Sequence, residues 1–368
     1  MTTNKKYIIA GGGTGGHIFP AIAIADAIRQ NNADAEILFV GAKGRMEMEK
    51  VPQAGYKIIG LEVVGIQRRF TLKNLLVPIK LFKSLLQARK IIKKFRPDAC
   101  IGVGGYASAP VLFIATLMGI KIFIQEQNSY PGITNKILSK FAARIFVAYD
   151  NLHLFFNPKK IIVTGNPVRK DISEALPSKE DACKFFQLDK NKKTILVIGG
   201  SLGARTINQA VEANLELFVK NNYQVLWQTG KAYYTGIIER IEKLETKPIK
   251  IHQFIKEMNL AYAVADVIVS RAGALSVSEL CIVGKPCILI PSPNVSEDHQ
   301  TKNAMALVNK NAALIIKDNA AVNQLGSEVI TLLSDEEQQQ LLSENIKQLA
   351  KNNAANEIVK EIIKNYEI

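Results

Sequence analysis

The sequence predicts an α/β protein made of two Rossmann-like domains, each a doubly wound parallel sheet. Three observations predict it. Short apolar runs alternate with helical patterns along the chain, and strands that alternate with helices pair in parallel. The two halves open alike: a buried strand runs into glycines and then into a helix, at 5–17 and again at 194–204. The chain has 368 residues, more than one core ordinarily fills.

Strands are expected in the first half near 7–10, 37–40, 57–63, 99–103, 122–125, 145–148 and 161–164. In the second half they are expected near 194–198, 224–228, 250–253, 267–270, 287–290 and 313–316. Helices are expected at 21–28 and 77–95, and an amphipathic one closes the chain from 354 onward. The strand pattern breaks at Gly165-Asn166-Pro167. The expected domains are therefore 1–166 and 167–350, with a C-terminal helix, 351–368, packing back on the first. Open α/β sheets place ligands beyond the carboxyl ends of their strands. The glycine turns fall there, including a third at Gly102 to Ser108, and two domains facing each other across such loops would enclose a cleft.

Hydrophobic residues make up 48% and charged residues 22%, ordinary for a globular protein. No signal-peptide pattern opens the chain, and no apolar run reaches the ~20 residues that span a bilayer. A cytoplasmic protein is expected. Cys100, Cys183, Cys281 and Cys287 lack metal-ligand spacing and read as buried, reduced thiols. The net charge of +14 favours anionic partners.

Glycines bring a backbone close to a ligand and leave helix amides unblocked, so a phosphate or sugar phosphate is expected at the first turn. Gly11, Gly13 and Gly16 satisfy the dinucleotide fingerprint, but Gly41, Ala42, Lys43 and Gly44 stand where it wants an acid. Hydride transfer is therefore disfavoured. No Lys-Ser/Thr pair closes the run, which excludes a P-loop. His17 ends the turn. It suits either a packed, capping histidine or a base at the turn's mouth, and its position favours the base.

A strand-to-helix turn runs from Ser270 to Glu279. Ser276 and Glu279 have capping-box spacing. The same carboxylate offers two acceptors to a ribose diol, while helix amides face a diphosphate. Asp298, His299, Gln300 and Asn303 form a polar cluster suited to sugar hydroxyls. No Asp-x-Asp stands at a strand end, so no metal clamp is expected, and helix termini would have to stabilise a leaving diphosphate.

From Val63 to Pro97 the chain has no acid but ten basic residues, Arg68, Arg69 and Lys73 among them. On a helix over 77–95, Val77, Leu81, Leu85, Ala88 and Ile92 form a core stripe. Ile79, Phe82 and Leu86 form a second, shorter stripe, with Leu75 just before it and Lys80, Lys83 and Lys90 beside it. Such a helix suits an anionic membrane interface, or burial on both sides with a basic edge. Aromatics are not interleaved with the basic residues, which disfavours nucleic acid.

Taken together, the chain resembles the MurG family, bacterial transferases that add N-acetylglucosamine to lipid I in peptidoglycan synthesis. The matching stretches are Gly12-Gly13-Thr14-Gly15-Gly16-His17, Gly104-Gly105-Tyr106, Glu126-Gln127-Asn128, Gly165 to Arg169, Gly199 to Ala204, Gly273 to Glu279, and His299-Gln300 with Asn303. The resemblance implies a GT-B fold that takes UDP-N-acetylglucosamine on the C-terminal domain and the lipid acceptor on the N-terminal one, with no metal. By motif, the donor contacts would be Thr14, Gly15, Gly16, Asn128, Arg169, Ser201, Ile255, Ala274, Leu275, Ser276, Val277, Ser278, Glu279, Gln300 and Asn303. Glu279 would hold the ribose, the Ile255 backbone the uracil, Ser201 and helix amides the diphosphate, and Gln300 the sugar. Gly104, Gly105 and Tyr106 would lie on the acceptor side, and the segment of Leu75, Ile79, Lys80, Phe82, Lys83 and Leu86 on the membrane. The protein would sit peripherally on the cytoplasmic face of the bacterial plasma membrane. His299 stands where some relatives carry glutamine.

The implied reaction inverts the anomeric carbon, and an attacking alcohol needs a base, for which His17 is the candidate. The rivals are a glycolipid synthase using diacylglycerol, a sugar-nucleotide epimerase and a non-enzymatic sugar-nucleotide-binding scaffold. The basic stripe argues against the epimerase, and His17 against the scaffold.

Overall fold

The computed structural model describes residues 4–63, 77–241, 248–295 and 298–365, with the side chains of 77–79 left aside. The chain divides into two compact units: Met1–Arg169 with Asn353–Ile368, and Lys170–Asn352.

In the first unit the strands are β1 (Lys6–Ala10), β2 (Glu36–Ala42), β3 (Lys57–Leu61), β4 (Ala99–Gly102), β5 (Lys121–Glu126), β6 (Arg144–Val147) and β7 (Ile161–Val163). They form a parallel sheet ordered β3-β2-β1-β4-β5-β6-β7. Tyr7 pairs with Ile37 on one side and with Ala99 on the other. Both faces of this sheet are covered, which is why β1 reads as an unbroken apolar run. One face packs Ile9, Phe39, Ile101, Phe123 and Phe146. The other packs Ile8, Val40, Leu112, Ile124 and Ile145.

Helix α1 (Gly15–Asn31) starts six residues before its expected first turn and runs through Pro20. Thr14 is extended, at φ −142° and ψ 159°, and its carbonyl accepts from His17 and Ile18. The carbonyl a proline crowds lies four residues back, here on Gly16, where no Cβ adds to the crowding. The last helix, Ala354–Lys364, lies on α1. It buries Ile358, Val359 and Ile362 in the first unit's core, each contributing about 2 kcal/mol.

The second unit holds β8 (Thr194–Ile198), β9 (Gln224–Gln228), β10 (Ile249–His252), β11 (Val267–Ser270), β12 (Cys287–Leu289) and β13 (Leu314–Ile315). Their order is β10-β9-β8-β11-β12-β13, again all parallel. Strand order therefore reverses between β1 and β4 in one sheet and between β8 and β11 in the other. Such switch points open a crevice at the strands' carboxyl ends.

Helix α2 (Glu47–Gln53) follows β2, and helix α3 (Val77–Phe95) has the expected bounds. The core stripe of α3 is shorter than the pattern implied. Ala88 and Ile92 are buried, and Leu85 is half-buried. Leu81, expected in the core, is 50% exposed; among the described side chains of α3 the first buried one is Ser84, one turn later. The second stripe is not a second core face either: Phe82 is 62% and Leu86 51% exposed, between exposed Lys80, Lys83 and Lys90. Leu75, Arg68, Arg69 and Lys73 lie outside the described residues, as does the side chain of Ile79. No described helix is long and apolar enough to cross a membrane. All four cysteines are free and buried, and burial pushes the Cys281 thiol up to about 12.

Candidate active site

The first glycine turn lies at the β1–β4 switch point, and it is built by two neighbours. The Gly11 amide donates to the Val40 carbonyl at 3.1 Å, and the Gly12 amide to the Gly104 carbonyl at 3.3 Å. The Gly13 amide donates to Glu47 Oε2 at 2.8 Å. A phosphate or sugar phosphate was expected at this turn, on unblocked helix amides; these three loop amides already donate to acceptors of the chain itself. What helix geometry leaves without an intrahelical acceptor are the first-turn amides of α1, including Gly15 and Gly16.

The turn after β4 presses against the first turn. A Cβ on Gly105, at φ +83°, would stand 2.3 Å from the Gly12 carbonyl oxygen. A Cβ on Gly104, at φ +93°, would stand 2.9 Å from His17 Nε2. Glycine is required at both positions, and the Cδ2–Nε2 edge of the imidazole packs where a Gly104 side chain would begin. Thr14 Oγ1 meets His17 Nδ1 at 3.3 Å. Thr14, Gly15, Gly16, His17, Gly104 and Gly105 thus come together, and Tyr106 beside them is 60% exposed.

Two buried networks hold the rest of this rim. Glu126 accepts from the Asn128 amide at 3.1 Å, the Gly132 amide at 3.1 Å and Asn135 Nδ2 at 2.8 Å. Burial raises its pKa, against the pull of those hydrogen bonds. Asn128 also donates its side-chain amide to Glu126, at 3.4 Å. Gln125 Nε2 donates to Asn166 Oδ1 at 2.9 Å, Asn166 Nδ2 to the Gln127 carbonyl at 3.0 Å, and Gln127 Nε2 to the Val103 carbonyl at 2.8 Å. The Arg169 guanidinium lies 5.3 Å from the ring centre of Phe19 on α1.

In the second unit the turn after β8 repeats the device. A Cβ on Gly203, at φ +80°, would stand 2.0 Å from the Thr229 carbonyl oxygen. Half-buried Ser201 stands two residues before that close approach, on the turn that leads into the Arg205–Lys220 helix. Gln228 Nε2 donates to the Gly200 carbonyl at 3.0 Å, and the Ile255 amide donates to Gln228 Oε1 at 2.8 Å. The Ile255 amide is thus engaged within the fold.

The Ala274–Val283 helix starts at Gly273, which occupies the N-cap position. Ser276 is therefore a first-turn residue and not a cap, so the Ser276–Glu279 capping box does not form. Glu279 is buried and accepts from the Tyr262 hydroxyl at 2.9 Å. Ala274, Leu275 and Ser276 supply the first-turn amides. Two of the expected donor contacts lie in the core. Val277 is core, and its amide already donates to the Gly273 carbonyl at 2.9 Å. Asn303 is fully buried, and its Nδ2 donates to the Ala272 carbonyl at 3.2 Å, so it fixes the turn from beneath. Ser278 Oγ donates to the Ala274 carbonyl at 3.1 Å. Gln300 Oε1 accepts from the Ser292 amide at 2.9 Å, and half-buried His299 opens the His299–Val308 helix. Among the described residues no group of three His, Cys, Asp or Glu side chains could hold a metal.

Arg271 was not singled out by sequence reasoning. Its Nη1 donates to the Ile290 carbonyl at 2.9 Å and the Pro291 carbonyl at 3.2 Å, and it pairs with Asp318. Thr206 Oγ1 donates to the other Asp318 oxygen at 2.9 Å. The clamp joins the starts of the Arg205 and Ala274 helices. Asp318→Ala should lower unfolding free energy in urea by about 2 kcal/mol, below the full cost of breaking a buried pair because some exposure remains. A change under about 0.5 kcal/mol would show the clamp to be dispensable.

Residues 7–147 match the glycosyltransferase family 28 N-terminal domain, and residues 194–362 match its C-terminal domain. The chain belongs to glycosyltransferase family 28. A Parabacteroides distasonis relative named UDP-N-acetylglucosamine–N-acetylmuramyl-(pentapeptide) pyrophosphoryl-undecaprenol N-acetylglucosamine transferase is 53% identical over 362 residues, 98% of each chain. A Phocaeicola vulgatus relative of the same name is 54% identical over 365 residues, 99% of this chain and 97% of its own. The crystal structure of Acinetobacter baumannii MurG superimposes with a TM-score of 0.76 at 26% identity, covering 98% of this chain and 99% of that one. In this family 28 chain, both matched domains carry a glycine turn at a sheet's switch point.

Proposed function

We propose that this family 28 glycosyltransferase moves N-acetylglucosamine from UDP-N-acetylglucosamine to the muramyl 4-hydroxyl of lipid I, giving lipid II for peptidoglycan. The observation that carries this reading is the 53% identity over 98% of the chain to a transferase whose name states that sugar, donor and lipid acceptor. The site chemistry agrees with it. Thr14 Oγ1 meets His17 Nδ1 at 3.3 Å, and the tautomer in which Nδ1–H donates to that hydroxyl is the one that carries the lone pair on Nε2. The acceptor hydroxyl gives its proton to Nε2 as its oxygen bonds the anomeric carbon. The bond from that carbon to the diphosphate oxygen breaks, UDP leaves with the electron pair, and the α-linked donor becomes a β-1,4 product. First-turn amides at the Arg205 and Ala274 helices stabilise the negative charge that develops on the diphosphate, so the step as proposed takes no metal.

UDP release with a lipid I analogue, with diacylglycerol and with no acceptor tests the reading. Release confined to the lipid I analogue is expected. Release with diacylglycerol would mark a glycolipid synthase, release without acceptor an epimerase or hydrolase, and none in any tube a binding scaffold.

The lipid acceptor calls for a membrane surface. Exposed Phe82 and Leu86 on α3, flanked by Lys80 and Lys83, would dip into an anionic interface on the cytoplasmic side of the plasma membrane. Phe82→Ser with Leu86→Ser should reduce sedimentation with anionic vesicles and leave turnover of a short-chain soluble acceptor unchanged. Vesicle binding equal to wild type would sink the membrane role of α3.

A further inference from the structure

The first glycine turn holds a charged group that the transfer chemistry above does not use. Glu47 opens α2 and is 1% exposed. Its Oε2 accepts from the Gly13 amide at 2.8 Å, and its Oε1 from the Ala42 amide at 2.9 Å. Two glycines make room for it. A Cβ on Gly12 would stand 2.3 Å from Glu47 Cδ, and one on Gly41 2.5 Å from Glu47 Cγ. In dinucleotide folds a turn of this kind points its amides at a ligand's pyrophosphate.

We infer that Glu47 is a positioning residue for the transfer: its buried carboxylate takes the place of a phosphate in the first glycine turn and fixes that turn under His17. The inference rests on the proposed transferase reading. The chain of contacts is short. Glu47 holds Gly13, the next residue is Thr14, and Thr14 Oγ1 meets His17 Nδ1. On the other side Gly12 donates to the Gly104 carbonyl, and Gly104 is the surface on which the imidazole lies. With a carboxylate already seated, a second anion at this turn would meet like charge in a buried place. The donor's diphosphate is therefore assigned to the helix starts of the second unit, and the first turn is left to present the base.

Glu47→Gln keeps the shape but turns one acceptor into a donor facing an amide. Gly41→Ala leaves the carboxyl intact and pushes it from its seat. Both should lower kcat on the lipid I analogue at least about 10-fold, because small displacements of a base weigh heavily on rate. Affinity for UDP, measured by calorimetry, should stay within about twofold, since the donor site is in the other unit. Two results would overturn the inference: a folded Glu47→Gln or Gly41→Ala protein that keeps kcat within about threefold of wild type, or UDP affinity that falls in step with kcat, which marks general loss of structure. Should Glu47→Gln not fold, Gly41→Ala decides by the same criteria. Wild-type enzyme that releases no UDP with the lipid I analogue defeats the transferase reading instead, so the two failures are told apart.

Discussion

Replacing His17 with alanine should lower kcat on a lipid I analogue at least ~100-fold while KM for UDP-N-acetylglucosamine stays within a few-fold. The reason is a division of labour inside one side chain. Nδ1 faces Thr14, and the Nε2 edge packs against Gly104, whose missing Cβ leaves room for the ring. An imidazole held at both edges has little freedom to lose on reaching the transition state. Removing it takes away the proton acceptor and leaves the first-turn amides of α1 in place. Steady-state kinetics over a pH series provide the measurement. The acid limb of the kcat profile, where an imidazole base becomes protonated, should disappear in His17→Ala. A near-normal kcat, or an unchanged acid limb, would remove His17 from the base role and leave it as a contact for the sugar.

Glu279→Ala should raise KM for UDP-N-acetylglucosamine by about 10- to 100-fold with a smaller change in kcat. A hydrogen bond to a charged acceptor is worth roughly 1.5–3 kcal/mol when its partner is lost, and 1.4 kcal/mol is a factor of ten. The competing account is structural, because Glu279 is buried and accepts from Tyr262. Tyr262→Phe separates the two. It removes that hydrogen bond and keeps the carboxylate, so on the ribose reading its KM should stay near wild type. If Glu279→Ala lowers stability as Tyr262→Phe does and leaves KM unchanged, the carboxylate serves the tyrosine alone.

How far the sequence carried each of these residues is unequal. Every described strand was legible, most plainly the central ones, whose apolar runs are buried on both faces. The bounds of α3 were legible too, yet the role of Leu81 was not. Periodicity reports which residues share a face, not where along the helix the neighbouring layer begins. The Ser276–Glu279 spacing suggested a cap, and the structure moved the helix start to Gly273. A three-residue spacing specifies a cap only when its first residue ends the loop.

What the sequence by itself determined is the framework: two parallel sheets, the glycine turns that follow their strands, and the helices that carry His17 and Glu279 after such turns. These follow from local patterns a few residues long. Only the tertiary structure decided which polar groups the fold itself consumes. Glu47 reaches the Gly13 amide across 34 positions, Asn303 the Ala272 carbonyl across 31, and Arg271 pairs with Asp318 across 47. A buried amide or carbonyl must find a partner. Which distant side chain supplies it depends on how the strands are ordered in space, and no local pattern records that.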